Sequence, residues 1–356
     1  MIVKQVRLNN FRNYNDYELN LDSQKPFNFL IGANGTGKTN FIESLYYSSY
    51  LRSFRTRNET DMIQRGQQNF FISIDYSNNN LNNDIKIEYS KKKNIYLNSK
   101  KIHKYSDILG EFLTVLYSST DINIIYGSPV FKRNFFDIII CLTDNQYLNS
   151  LRDYNQIIKK KNILLKQKDS DSLVDVYDIQ ISELMEIIIK KRTEFIFNFD
   201  KLFQEKYSIS GQYNFKTKVI YIPSIKLKEN NSHRIYDFLY SKRNEFYNNG
   251  TSLYGIHRDS YMFLINGVGF EKFGSLGQCR LASLVIKMVQ TDIYKKRLNI
   301  NPVVLLDDVI LELDSFRKKQ VLKELFYDSQ VFATFTGEHY ENYIEEKTKI
   351  NKIFME

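Results

Sequence analysis

Hydrophobic and polar positions change period several times along the chain, and the changes mark its elements. At the start Ile2, Val3, Val6 and Leu8 alternate with polar residues, and Tyr17-Glu18-Leu19-Asn20-Leu21 alternates again, so two strands and a turn open the chain. Phe27-Asn28-Phe29-Leu30-Ile31 is a short apolar run, the pattern of a strand buried on both faces. From 40 to 47 apolar residues recur at helical spacing. Residues 70 to 98 alternate in three runs separated by turns rich in Asn or Lys, which predicts an antiparallel meander. From 130 to about 207 the period is helical, with Leu148, Leu151, Tyr154 and Ile158 followed by Leu173, Val176, Leu184, Ile187, Ile188 and Phe195. The polar stretch 166 to 172 interrupts it, so a helical hairpin or small bundle is expected. Strand patterns return from 217. Residues 261–265 and 268–270 flank Asn266-Gly267, whose positive φ angles suit a type I′ hairpin turn. A helix is expected from about 280 to 296, and apolar strands at 302–306 and 331–336.

The turn between the buried strand and the first helix reads Gly32-Ala33-Asn34-Gly35-Thr36-Gly37-Lys38-Thr39. Strand, G-x-x-x-x-G-K-T and helix, in that order, cradle the phosphates of a nucleotide. The glycines let backbone N–H groups turn inward, and the helix N-terminus faces the anion. All eight residues are expected to bind ATP, with Lys38 on the β- and γ-phosphates and the Thr39 hydroxyl on Mg²⁺. Val303-Val304-Leu305-Leu306-Asp307-Asp308 is an apolar strand closed by two acids. Asp307 would hold Mg²⁺ through its water shell, and Asp308 would face the γ-phosphate and polarise the attacking water. Lys38, Asp307 and Asp308 are therefore the candidate catalytic residues, and Thr39 and Asp307 the candidate metal ligands. Ser275-Leu276-Gly277-Gln278 precedes the 280–296 helix, where Ser275, the Gly277 backbone and the helix N-terminus could form a second phosphate site. In a monomer this segment is expected to lie too far from the loop. Two subunits head to tail, each presenting Ser275 to the other's γ-phosphate, would complete the site, and hydrolysis would release the dimer. Glu312-Leu313-Asp314 reads equally as a coupling stretch across that interface and as a helix N-terminus with favourable acids.

The fold these patterns predict is α/β, a phosphate-loop ATPase with buried strands, an antiparallel meander and an inserted helical hairpin or small bundle. Its divisions would be 1–129 for the N-terminal part of the ATPase lobe, 130–207 for the helical lobe, and 208–356 for the C-terminal part.

The 356 residues leave room for two lobes, and the net charge of +9 favours an acidic partner, nucleic acid first. A composition rich in Asn, Ile, Lys, Tyr and Phe also raises lysine content without any binding role. Arg52, Arg55, Arg57, Lys91 to Lys93 and Lys159 to Lys161 are candidate DNA contacts. For the two lysine runs a solvated hairpin tip and a solvated helix face are the simpler expectations. Cys141 and Cys279 stand far apart and form no metal or disulfide pattern. With no apolar run long enough to span a bilayer and no signal-like start, a cytoplasmic protein without a membrane partner is expected.

Further motifs carry a resemblance. Asn10-Phe11-Arg12-Asn13-Tyr14, the loop with Asn34 inside it and Asn40 after it, and Arg52-Ser53-Phe54-Arg55-Thr56 come first. Gly127-Ser128-Pro129 with Lys132-Arg133 and Asp137, Gly255-x-His257-Arg258-Asp259, Ser275-x-Gly277-Gln278 and Leu305-Leu306-Asp307-Asp308-Val309 follow in order. Along essentially its full length the chain resembles the RecF family of bacterial recombination and replication-repair ATPases. The resemblance implies an α/β fold of the ABC-type ATPase head, with a mixed sheet and a smaller inserted helical lobe. It further implies ATP binding with Mg²⁺, an ATP-dependent homodimer, and DNA binding at gapped, double-stranded or junction substrates. It also implies action with RecO and RecR to load a recombinase, support of the SOS response, and slow hydrolysis. It extends the signature role to Ser275, Gly277 and Gln278 together. The chain departs from the family pattern at Ser119, Ile256, Ser260, Leu276 and Leu311. An ATPase subunit of a transporter or of a nuclease shares the phosphate motifs. The basic charge and the N-terminal Phe-Arg-Asn-Tyr pattern argue against the transporter, and the lack of an added acidic metal cluster against the nuclease.

Overall fold

The computed structural model describes residues 1–167, 171–210, 215–228, 230–308, 329–336 and 349–355. The strands in chain order are β1 (Ile2–Phe11), β2 (Tyr14–Asn20), β3 (Phe27–Ile31), β4 (Phe70–Asn78), β5 (Leu81–Tyr89), β6 (Lys93–Leu97), β7 (Lys100–Lys101), β8 (Thr114–Ser118), β9 (Thr217–Ile222), β10 (Ser260–Ile265), β11 (Val268–Gly269), β12 (Val303–Asp307), β13 (Val331–Phe335) and β14 (Ile350–Phe354). The helices are α1 (Lys38–Tyr50), α2 (Asn123–Tyr126), α3 (Pro129–Thr143), α4 (Asn145–Gln167), α5 (Asp171–Ser210), α6 (Ser232–Ser241), α7 (Arg243–Asn249), α8 (Phe270–Phe273) and α9 (Leu276–Leu298). They form two compact units, Met1–Thr120 with Gln290–Glu356, and Asp121–Val289.

The first unit holds two sheets. In the five-stranded sheet, β14-β3-β13-β12-β8, every pairing is parallel. β3, β8, β12 and β13 are buried at every position, which is why they are mostly apolar rather than alternating, with Asn28, Thr114, Ser118 and Thr334 among the buried polar exceptions. The six-stranded sheet, β2-β1-β4-β5-β6-β7, is an antiparallel meander. Its alternating strands bury Val6, Leu8, Ile72, Ile74, Ile85 and Ile87 on one face. Helix α1 packs against both sheets through Phe41, Ile42 and Leu45. The edge strand β14 was not anticipated, because its sequence Ile-Asn-Lys-Ile-Phe has too little apolar pattern to stand out.

The second unit pairs α4 with α5 as the expected helical hairpin, and sets α5 against β9 and α6. It is wider than the helical segment 130–207, because α2, the sheet β11-β10-β9, α6 to α8 and the start of α9 pack within the same body. The β10–β11 turn has Asn266 at φ 49° and Gly267 at φ 81°, as the Asn-Gly pair requires. Helices α6 and α7 fall where only strand pattern was expected. α6 is one ten-residue helix capped by the Asn231 side chain, too short for its period to show clearly. Gly127-Ser128-Pro129 is a helix start: Ser128 Oγ accepts from Phe131 N–H, and Pro129 takes the first helical position of α3.

Candidate nucleotide site

The glycine loop is shaped by backbone conformation and by what lies behind it. Gly37 is the N-cap of α1 at φ 105°, a region that disfavours any side chain. A Cβ there would also lie 2.5 Å from Asn13 Nδ2 and 3.0 Å from the Tyr14 hydroxyl. Those two groups brace the loop: the Tyr14 hydroxyl donates to the Gly37 carbonyl at 3.0 Å and Asn13 Nδ2 to the Thr36 carbonyl at 3.2 Å. Gly32 is needed for close approach, since a Cβ would sit 2.5 Å from the Met355 carbonyl at the end of β14. Lys38 Nζ donates to the Gly32 and Ala33 carbonyls, both at 2.7 Å, so its ammonium lies within the loop. No side chain among the described residues caps α1, which leaves its first N–H groups free for an anion.

The end of β12 brings the acids to the same place. The Thr39 hydroxyl donates to Asp307 Oδ1 at 3.0 Å across 268 positions of sequence. Burial pushes the Asp307 carboxyl above its ordinary pKa. The neighbouring Asp308 charge adds to the rise, while Thr39, Thr334 and the Arg55 guanidinium pull it back. Asp308 is exposed, at φ 56°, and its backbone N–H donates to the Thr334 hydroxyl at 2.9 Å. Thr334 Oγ1 in turn lies 3.1 Å from Asp308 Oδ1 and 3.4 Å from Asp307 Oδ1. Sequence reasoning missed Thr334. Its signal was a threonine in the otherwise apolar β13, whose neighbours on the parallel sheet fix both acids.

Two motifs that carry the family resemblance converge on a second missed residue, Glu43. This carboxylate is fully buried in α1. Arg12 forks onto it with Nε at 2.8 Å and Nη2 at 2.6 Å, the Ser53 hydroxyl donates to it, and Arg55 Nη1 lies 3.3 Å away. Arg55 also donates to Asn40 Oδ1 at 2.6 Å, and Asn40 donates to Asn13 Oδ1 at 2.7 Å. A chain of hydrogen bonds, charge-assisted at its Arg55 end, thus runs from the arginine segment to the Thr36 carbonyl of the phosphate loop.

The second unit contains the remaining motifs. Ser275 and Gln278 form a reciprocal helix cap: Gln278 N–H donates to Ser275 Oγ at 3.2 Å and Ser275 N–H to Gln278 Oε1 at 2.8 Å. This fixes the start of α9, where a Cβ on Gly277 would meet open space and Leu276 is 56% exposed. Asp137, Asp259 and His257 are architectural. Buried Arg192 of α5 donates to both Asp137 oxygens, at 2.9 and 3.0 Å, and to Asp259 Oδ2 at 2.7 Å. His257 Nδ1 faces the Tyr154 hydroxyl at 2.7 Å and Nε2 the Ser252 carbonyl at 3.1 Å, an arrangement that suits the neutral ring. Burial pushes its pKa down from 6.5 to about 4, with Arg258, Arg133 and Lys161 adding to the fall and the Ser252 carbonyl opposing it. The native state therefore binds fewer protons than the unfolded chain between those values, and stability is lost as pH drops through them. By pH 5 this group should cost about 2 kcal/mol relative to pH 7. Urea unfolding of wild type and His257→Gln at both pH values tests this. Equal pH dependence in the two proteins would refute it.

Two expectations from charge need correction. Lys91 and Lys92 are an exposed turn, but Lys93 is turned inward, donating to the Leu51 carbonyl at 2.8 Å and pairing with Glu59. Lys159 and Lys160 face solvent, whereas Lys161 is fully buried against Asp178, with the Phe246 ring centroid 4.5 Å away. Both buried lysines follow exposed ones in the same run, so composition hid the difference. Val309, Leu311 and Glu312-Leu313-Asp314 lie outside the described residues.

Comparison with known proteins agrees with this geometry. The family described as the RecF/RecN/SMC N terminal domain matches residues 2–356. The DNA replication and repair protein RecF of Clostridium botulinum (strain Alaska E43) is 37% identical over 359 residues, covering 98% of this chain and 97% of that protein. RecF of Clostridium tetani is 34% identical, covering 99% and 98%. Among solved structures, the recombination mediator protein RecF-ATP in the RecFOR pathway superposes with a TM-score of 0.89 at 29% identity, over 95% of this chain and 93% of that one. The Smc head domain from Pyrococcus furiosus, at 15% identity, covering 100% of this chain and 94% of that one, and a TM-score of 0.56, shares the fold. The chain belongs to the RecF family, and its fold is that of an SMC-like ATPase head.

Proposed function

We propose that this chain is an ATP-gated DNA-binding protein of replication and recombinational repair, in which nucleotide binding, rather than rapid turnover, is the working event. The observation that carries the reading is the meeting of Lys38, Thr39 and Asp307 from two distant segments around one glycine loop. Gly32 to Thr39 would wrap the phosphates, with Lys38 on the β- and γ-groups. Thr39 Oγ1 and Asp307 Oδ1 are hard oxygen donors that fit Mg²⁺, which when bound would neutralise phosphate charge. Asp308, held by Thr334, would orient the attacking water. The capped start of α9, with Ser275, Gly277 and Gln278, would meet the γ-phosphate of a second copy, so that ATP joins the homodimer. Gapped or duplex DNA is the substrate of this clamp. RecO and RecR are its expected partners in loading recombinase, SOS support is its expected role, and the cytoplasm is its expected location. A transporter subunit is disfavoured, because relatives matched along the whole chain are DNA replication and repair proteins.

Light scattering with and without ATP tests the clamp, repeated with gapped and blunt duplex DNA. Mass should rise with ATP. Ser275→Ala should leave ATP affinity within about twofold while weakening the dimer at least about tenfold; the absence of the helix cap by itself accounts for only about 1 kcal/mol. Normal ATP-driven dimerisation of that variant would end the composite-site reading.

A further inference from the structure

Residues 89 to 106 contain six lysines and a histidine but no acid. Five of these lysines are exposed: Lys91 and Lys92 on the β5–β6 turn, Lys100 and Lys101 on β7, and Lys104 just after it. β7 is the edge of its sheet among the described residues. The sixth, Lys93, points the other way and acts as a pin. Its ammonium bonds the Leu51 carbonyl, pairs with Glu59, and lies 5.0 Å from the Tyr47 ring centroid and 5.5 Å from that of Tyr105. Lys92 and Arg52 consequently stand one residue from either end of a single hydrogen bond. Arg52, Arg55 and Arg57 are all exposed on the segment so held. Guarding a two-residue edge against strand pairing takes only a charge or two. Lysines on the turn, the edge and the segment beyond it, with arginines drawn beside them, exceed that need.

We infer that this rim, made of the β5–β6 turn, the β7 edge and the 52–57 segment, is the docking surface for the phosphate backbone of duplex DNA. The inference rests on the reading that the chain binds DNA, and adds where. Duplex is favoured over single strand by composition. Single-stranded DNA is held on rows of aromatic side chains, whereas here Tyr105, 58% exposed, is the main aromatic beside the lysines. The rim also reaches the nucleotide loop: Arg55, on the same segment, bonds Glu43 and Asn40, and Asn40 bonds the Asn13 that braces Thr36. DNA held on the rim would bear on the loop that holds ATP.

Binding of a blunt duplex, measured by fluorescence anisotropy with ATP across a salt series, tests the assignment. Removing one lysine–phosphate ion pair lowers the slope of log K against log salt by about 0.9. Lys91→Ala/Lys92→Ala should lower it by about 1 to 2 and weaken binding about tenfold near 0.1 M salt. Adding Lys100→Ala/Lys101→Ala should deepen both effects. Lys159→Ala/Lys160→Ala removes the same charge as the first pair, from the exposed face of α4, and should match wild type. ATP affinity and melting temperature should be unchanged in every variant. A rim variant with wild-type slope and affinity overturns the assignment, as does an equal weakening in the α4 control, which would reduce the effect to net charge. Failure of the wild-type chain to bind duplex at any salt would instead overturn the DNA-binding reading itself.

Discussion

Lys38→Ala should abolish ATP binding at working concentrations, lowering affinity by at least about a hundredfold. The ammonium sits 2.7 Å from both the Gly32 and Ala33 carbonyls, inside the ring of backbone that the nucleotide phosphates would fill. Alanine removes the positive charge that faces the β- and γ-oxygens. Charge-assisted hydrogen bonds contribute about 1.5–3 kcal/mol each, so losing two of them accounts for the effect. The fold should survive, because Lys38 stands at the rim of α1 and the core beneath it is formed by Phe41, Ile42 and Leu45. Titration with a fluorescent ATP analogue measures the affinity, and thermal unfolding with and without ATP gives a second reading, since a ligand that binds the native state raises its melting temperature. An ATP-induced rise in the variant equal to that of wild type would contradict the assignment of the loop.

Asp259→Ala should be the most damaging single change in the second unit, destabilising it by about 3–5 kcal/mol. Its carboxylate and Arg192 are each 1% exposed. Besides Arg192, Asp259 accepts from the Tyr221 hydroxyl and from Ser224 N–H at 2.8 Å. Truncation strands these donors and leaves the buried guanidinium with Asp137 as its remaining acidic partner among the described residues. The cost comes from the uncompensated charge rather than from the net worth of the pair, so it should shrink when the charge is removed as well. Denaturant unfolding of Asp259→Ala in wild-type and Arg192→Met backgrounds measures this coupling. A cost below about 1 kcal/mol in the wild-type background, or the same cost in both, would show that the network does not hold the unit together.

These two residues also show how unevenly the structure could be read in advance. Lys38 was legible because its motif is local: glycine conformations, a following helix and one lysine are contiguous. The role of Asp259 was not, although its motif was noticed. Its partner Arg192 lies 67 positions away, as one cation within the apolar stripe that Ile188, Ile189, Phe195 and Ile196 form on α5. Glu43 was hidden in the same way, as one acid in a helix whose buried partners come from two separate segments. Thr334 and Asp308 meet only because β12 and β13 pair in parallel. Strand β14 escaped notice for want of pattern, and yet its end fixes how closely backbone approaches Gly32.

By itself the sequence determined the phosphate loop, the buried parallel strands, the antiparallel meander, the helical hairpin and the family. Each rests on φ/ψ preference, hydrophobic period or contiguous motif, which short stretches of chain carry complete. Tertiary structure alone decided which charges face water. Lys92 and Lys93 are neighbours, as are Lys160 and Lys161, yet one of each pair is solvated and the other buried against an acid. A buried charge is stable only where desolvation is offset by partners, and those partners arrive from distant positions when the fold closes.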